Sequence, residues 1–179
     1  MEIKDLRECF GTALKDEQRG RKHKGLVVMK SDQKKAEEYI GKAKKELNWC
    51  EPFKNDGDSD YKIPEQWFYT LYYCGLAILA KFGIESRSQR CTALFLKYLR
   101  EKELISYGSE FIDKIMVYKE KVKESEVDKR EEARYGSWIK NEEVRGRYDE
   151  MMNICKKAIS ECEEVVYSRE QFKIPEELL

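Results

Sequence analysis

The sequence has few prolines, one histidine and no net charge. Its 179 residues contain three prolines, and 35 Lys and Arg balance 35 Asp and Glu. A charged fraction of 39% with 12% aromatic residues is unlike a disordered chain, and scarce proline leaves long helices uninterrupted. Because the charges balance, no overall field draws the protein onto nucleic acid or an acidic membrane, so such binding needs a local patch.

Long apolar runs are also missing. No segment reaches the roughly 18 consecutive apolar residues of a membrane span. Charged residues occupy the N-terminal segment, where a signal peptide would carry an apolar run. We therefore expect a cytoplasmic protein with no membrane partner.

The cysteines are isolated from one another along the chain. No C-x-x-C pair occurs, and His23 is the sole histidine that could complete a zinc site. Buried thiols in a reducing cytoplasm are the favoured interpretation, so we predict no disulfide, no metal and no cofactor. The residues concerned are Cys9, Cys50, Cys74, Cys91, Cys155 and Cys162.

Apolar residues recur at intervals of three and four along most of the chain, which is typical of amphipathic helices. No alternation of the kind found in strands is present. The pattern predicts an all-α fold, an antiparallel up-and-down bundle of about five to six helices. The predicted segments are 2–15, Ser31 to Pro52, 63–84, 85–106, 109–135 and a last helix from about Asn141.

The segment from Ile63 to Ile84 is apolar or aromatic on nearly every face. Pro64 suits the first turn of a helix, and Gly83 suits its C-terminal end. A helix of this kind must be buried on several sides, and its tyrosine hydroxyls need partners where they are enclosed. We predict the central helix of the bundle here, with a surface that makes the protein a stable homodimer.

A strongly basic window, "DEQRGRKHKG", spans Asp16 to Gly25. It could contact a phosphate or RNA, or it could be an exposed linker, which is the favoured interpretation. His23 within it is predicted to be a solvated loop residue. The domain prediction is accordingly an N-terminal helix and basic linker over 1–30, a helical bundle over 31–168 and a tail over 169–179.

Four runs together resemble the archaeal and bacterial HEPN domains. They are "WFYTLYYCGLAILAKFGIESRSQRCTALFLKYLREKELIS", "FIDKI", "KREEARYGSW" and "EEVRGRYDEMMNICKKAISECEEVVY". The resemblance covers roughly Ser31 to Tyr167. It implies an all-helical bundle that dimerises, and a partner that is a minimal nucleotidyltransferase encoded beside it in a toxin–antitoxin module.

The catalytic branch of that family carries an Arg, four to six residues and then a His, which cleave RNA without metal. Arg130 matches the Arg, but the residue five positions later is Tyr135. A tyrosine with a pKa near about 10 is a poor general base at neutral pH. Branches without the histidine are thought to bind RNA or nucleotide uncut, so the resemblance implies binding through Arg130, Arg134, Tyr135 and Trp138.

Two alternatives remain open for this segment. The protein could be a metal-independent endoribonuclease that uses Arg130 with Tyr135. It could instead be a purely structural dimeric interaction protein, because Arg130 and Arg134 lie one helical turn apart and could pair with Glu126 and Glu131.

Overall fold

The structure, a computed structural model, describes residues 3–54, 62–116, 141–169 and 173–178. These ranges contain six α-helices and two short strands. The fold is a helical bundle, which confirms the all-α prediction. The elements are α1 (Ile3–Gln18), β1 (Leu26–Val28), α2 (Gln33–Cys50), α3 (Ile63–Lys81), β2 (Ile84–Ser86), α4 (Gln89–Glu101), α5 (Ser109–Ile115) and α6 (Asn141–Tyr167), with 3-10 turns at Glu51–Phe53 and Glu176–Leu178.

Helix α3 is the centre of the bundle and packs against α2, α4, α5 and α6. Pro64 lies in its first turn, as predicted. Gly83 follows its end at a φ of +73°, where a Cβ would lie 2.7 Å from the Met29 carbonyl oxygen, so glycine is required. No helix among the described residues is both long and apolar enough to cross a membrane.

Two of the surrounding helices begin at capping side chains. The Asp32 carboxylate accepts a hydrogen bond of 2.9 Å from the Lys35 amide at the start of α2. The Ser88 hydroxyl accepts one of 3.3 Å from the Cys91 amide at the start of α4. Each such cap stabilises a helix by about 1 kcal/mol.

The expectation of no strands was wrong in one place. Strands β1 and β2 pair antiparallel, with Leu26 opposite Ser86 and Val28 opposite Ile84. A strand of three residues is too short to show an alternating pattern, and its partner lies far along the chain. Each strand closely follows a glycine, Gly25 or Gly83.

The helix predicted from Ser109 to Tyr135 begins at Ser109 as expected, but it stops well before Tyr135. Helix α5 ends at Ile115, and the Met116 backbone is extended, with φ −71° and ψ 131°. The apolar spacing continues beyond this point without a Gly or Pro, so it carries no stop signal. Residues 117–140 lie outside the described residues.

The prediction of six reduced cysteines was also wrong. A disulfide joins Cys9 of α1 to Cys91 of α4, with a Cα–Cα distance of 5.9 Å. The two cysteines are 82 residues apart, so no local spacing announces the pair. The other four cysteines are buried and reduced: Cys50, Cys74, Cys155 and Cys162.

The segment near the C-terminus packs against the same two helices. The Arg7 guanidinium of α1 donates a 3.1 Å hydrogen bond to the Glu177 carbonyl. The Glu177 carboxylate accepts from the Tyr98 hydroxyl and pairs with Lys102 at 2.9 Å. Leu178 is buried, so this 3-10 turn helps to hold α1 on α4.

Candidate functional site

The residues predicted to bind nucleic acid lie outside the described part of the chain. Arg130, Arg134, Tyr135 and Trp138 all fall within 117–140. Their mutual geometry and the ion-pair alternative therefore stay predictions. The described residues carry two other surfaces on which charge and aromatic rings are concentrated.

The first surface is the basic turn, residues Arg19 to Lys24, which follows α1. The Asp16 carbonyl accepts a 2.9 Å hydrogen bond from the Arg21 amide. The Asp16 carboxylate accepts a second one, of 3.0 Å, from the Lys24 amide. Gly20 supplies the left-handed conformation between them, with φ +66°. These bonds fold the backbone back onto the end of α1.

Gly25 fixes the far end of the basic turn. Its carbonyl accepts a 3.3 Å hydrogen bond from the Arg87 amide just beyond β2. A Cβ at this position would lie 2.0 Å from the Cys9 carbonyl oxygen, so the backbone presses directly against α1. The favoured prediction of an exposed linker therefore holds for most of the side chains but not for the backbone, which is hydrogen-bonded at both ends.

His23 is the one residue of the basic turn that points inward. It is 8% exposed, and its Nε2 lies 3.2 Å from a Glu85 carboxylate oxygen. Its Nδ1 is buried and has no hydrogen-bond partner among the described residues. The prediction of a solvated histidine was wrong because Glu85 is 62 positions away and reaches His23 only through the β1–β2 pairing.

The Glu85 carboxylate joins the basic turn to the bundle. Besides His23 it accepts from Lys35 Nζ at 3.2 Å and from Arg87 Nε at 3.0 Å. Burial raises the pKa of Glu85, but hydrogen bonds from His23, Lys35 and Arg87 outweigh burial, so the pKa lies below its ordinary value. The ionised carboxylate is thereby stabilised in the folded protein.

The remaining side chains of the basic turn face solvent. None of these side chains forms a salt bridge with another described residue. The chain as a whole nevertheless has as many acidic as basic residues. The result is a run of four exposed cations that have no salt-bridge partner within the described ranges. They are Arg19, Arg21, Lys22 and Lys24.

The second surface is the tyrosine face, formed by Tyr39 of α2 with Tyr69, Tyr72 and Tyr73 of α3. All four side chains are half-buried. The Tyr73 ring stacks on Tyr39 at 6.1 Å and on Tyr69 at 6.0 Å between centroids. The Lys42 ammonium lies 5.2 Å from the Tyr39 ring centroid, within range of a cation–π interaction.

The hydroxyls of Tyr72 and Tyr73 stay protonated at neutral pH. Burial raises the pKa of Tyr72 in spite of its hydrogen bond with Thr92, and burial likewise raises the pKa of Tyr73. Burial and then the charge of Glu65 raise the pKa of the neighbouring Glu46. This face therefore offers rings and neutral donors rather than a nucleophile.

The described cysteines and acids do not form a metal site. No group of three or more His, Cys, Asp and Glu side chains is placed to hold an ion within the described ranges. Burial, followed by the charges of Glu46 and Glu51, raises the pKa of the Cys50 thiol to about 12. Such a thiol is not a nucleophile at neutral pH.

The described geometry thus consists of a fixed cationic turn and a separate aromatic face. The resemblance to HEPN domains depends on the sequence motifs alone. No protein-family model, curated protein or solved structure matches this chain.

Proposed function

We propose that the protein is a HEPN-like module that binds RNA or a nucleotide and cuts it weakly or not at all. In this proposal it acts in the cytoplasm as a homodimer, in a toxin–antitoxin-like pair with a minimal nucleotidyltransferase. The observation that carries the proposal is the run "KREEARYGSW", which keeps the arginine of the catalytic motif and replaces its histidine with Tyr135.

The residue types in this run suit binding better than cleavage. The guanidinium of Arg130 or Arg134 can hold a phosphate through paired, charge-assisted hydrogen bonds. The rings of Tyr135 and Trp138 can stack on a base. Cleavage also needs a proton-transfer group near neutral pH. The only histidine of the sequence is His23, which is buried against Glu85.

A cleavage and binding assay with mixed RNA tests this function. Arg130→Ala should weaken binding by roughly 1 to 3 kcal/mol, since the lost bond involves a charged group. Arg100→Ala is the matched control, because Arg100 is an exposed arginine of α4 that forms no salt bridge with a described residue. Binding that is equal for both variants and the wild type would favour the ion-pair alternative.

The same assay separates binding from catalysis. The wild type should leave RNA largely intact, and Tyr135→His should restore the usual spacing of Arg and His. Rapid metal-independent cleavage by the wild type, abolished in Tyr135→Phe, would establish the endoribonuclease alternative instead.

The tyrosine face supports the homodimer part of the proposal. Tyrosine is enriched at protein interfaces because it combines apolar area with a hydroxyl that can find a partner. Light scattering at micromolar concentration should give twice the 21.3 kDa of one chain. Tyr73→Glu should lower that mass, whereas Tyr167→Glu, at a 55% exposed tyrosine of α6, should not. A wild-type monomer would refute the dimer.

A further inference from the structure

We propose that the basic turn is a second contact site for the phosphates of single-stranded RNA, formed by residues other than Arg130 and Arg134. The inference rests on the proposed function only in its choice of RNA as the ligand. The site consists of the side chains of Arg19, Arg21, Lys22 and Lys24.

The backbone of the basic turn is already in a fixed shape. Both ends are hydrogen-bonded, through Asp16 at the start and Gly25 at the finish. His23 is buried in the middle and is held by Glu85. The cations therefore project from a fixed base, and binding a phosphate chain orders side chains without also ordering a loop.

Two carboxylates beside the turn, those of Glu85 and Asp16, already have hydrogen-bond partners. The Glu85 carboxylate is surrounded by His23, Lys35 and Arg87. One oxygen of the Asp16 carboxylate accepts from a backbone amide, and Glu17 forms no salt bridge with a described residue. No acid among the described residues forms a salt bridge with the four exposed cations, and a phosphate chain is a ligand that offers several charges at once.

The shape of this region favours nucleic acid over an anionic membrane. A surface loop that anchors in lipid usually presents apolar side chains for insertion. The basic turn has none in "RGRKHK". The nearby exposed apolar residues Leu14 and Val28 instead line a cavity of about 510 Å³ between α1, β1 and the C-terminal 3-10 turn. They line this cavity and do not form a projecting tip.

The test compares two triple variants that remove the same charge. The turn variant is Arg21→Gln with Lys22→Gln and Lys24→Gln. The control variant is Arg100→Gln with Lys34→Gln and Lys45→Gln, at exposed positions without a salt bridge to a described residue. Both lose one arginine and two lysines, so an effect of net charge alone would be equal. Circular dichroism and thermal unfolding check that both variants fold.

The measurement is the affinity for a fluorescent oligouridylate as a function of salt. Each phosphate contact to single-stranded nucleic acid adds about 0.7 to the salt slope, so loss of three contacts should lower it by about 2. The ratio of the wild-type affinity to that of the turn variant should therefore shrink roughly twentyfold between about 50 and about 200 mM salt. The control variant should keep the wild-type slope, and a charge-preserving Arg21→Lys variant should retain binding.

A third protein, with Arg130→Ala and Arg134→Ala, separates this inference from the proposed function. If only the turn variant loses affinity, the basic turn is the RNA site and the proposed arginine site fails. If only the arginine variant loses affinity, the turn is a structural element and the inference is overturned. The inference also fails if RNA affinity is unchanged but the turn variant no longer binds phosphatidylserine vesicles that the wild type binds. Absence of wild-type RNA binding at about 50 mM salt overturns both.

Discussion

Reduction of the Cys9–Cys91 disulfide should cost a large part of the free energy of unfolding. The bond spans 82 residues of sequence. The chain-entropy relation for a cross-link of this span gives a stabilisation of about 4 to 5 kcal/mol. Since a domain of this size is stable by about 5 to 15 kcal/mol, loss of the bond should move the unfolding midpoint substantially. Besides the disulfide, α1 packs on β1 and α4, and its Arg7 contacts Glu177.

Urea unfolding with and without a dithiol reductant measures this contribution. The double variant Cys9→Ala with Cys91→Ala is the control, because reductant should leave its midpoint unchanged. Alkylation in denaturant, read by mass spectrometry, should modify four thiols before reduction and six after it.

Two results would refute this reasoning. The first is a wild-type midpoint that does not respond to reductant. The second is six alkylated thiols in denaturant without reductant, which would mean that the bond does not form. The second result would fit the proposed cytoplasmic location, because that compartment keeps accessible thiols reduced. Cys9 and Cys91 are only 2% and 5% exposed, so a reductant reaches them only when α1 opens.

Four further substitutions test the packing and charge of the folded protein. Gly25→Ala should destabilise the protein by about 1 to 3 kcal/mol because its Cβ would meet the Cys9 carbonyl. Gly41→Ala, at an open position on α2, should stabilise it by about 0.5 to 1 kcal/mol. Equal thermal midpoints for the two variants would contradict both expectations. Tyr107→Phe should keep or raise the thermal midpoint, because the buried hydroxyl has no hydrogen-bond partner among the described residues. A loss of more than about 1 kcal/mol of stability would show that the hydroxyl has a partner. The folded-state pKa of Glu85 is depressed, so the stability that it contributes is present above its ordinary value of 4.5 and is lost as pH falls through the folded value. The difference in free energy of unfolding between the wild type and Glu85→Gln should shrink below pH 4.5. A difference that stays constant down to about pH 3 would argue against a stabilising role of the carboxylate.

Local patterns predicted most of the helices. Within the helix predicted from Ser31 to Pro52, helical spacing places four apolar residues on one face, and all four are buried in α2: Ala36, Ile40, Ala43 and Leu47. Pro64 lies in the first turn of α3, as predicted. In each case the signal lies within about one or two helical turns of the structure that it specifies.

Features that depend on distant partners were missed. The burial of His23 requires Glu85, which becomes a neighbour only when two strands of three residues pair. The disulfide likewise depends on where α1 docks. The turn's composition was correctly identified as basic, but its fixed backbone depends on a carboxylate cap and on glycine's close approach to α1. The arginine site was predicted from a motif and stays a prediction.

The disulfide also makes most of the first half of the chain a covalent ring. The ring includes α2 and α3 between Cys9 and Cys91. A protease that cuts the backbone once anywhere between these two residues opens the ring without separating the pieces. Such a nicked chain should run as one species on a denaturing gel without reductant and as two with it. Limited proteolysis read only under non-reducing conditions would therefore make this protein look more resistant to cleavage than its backbone is.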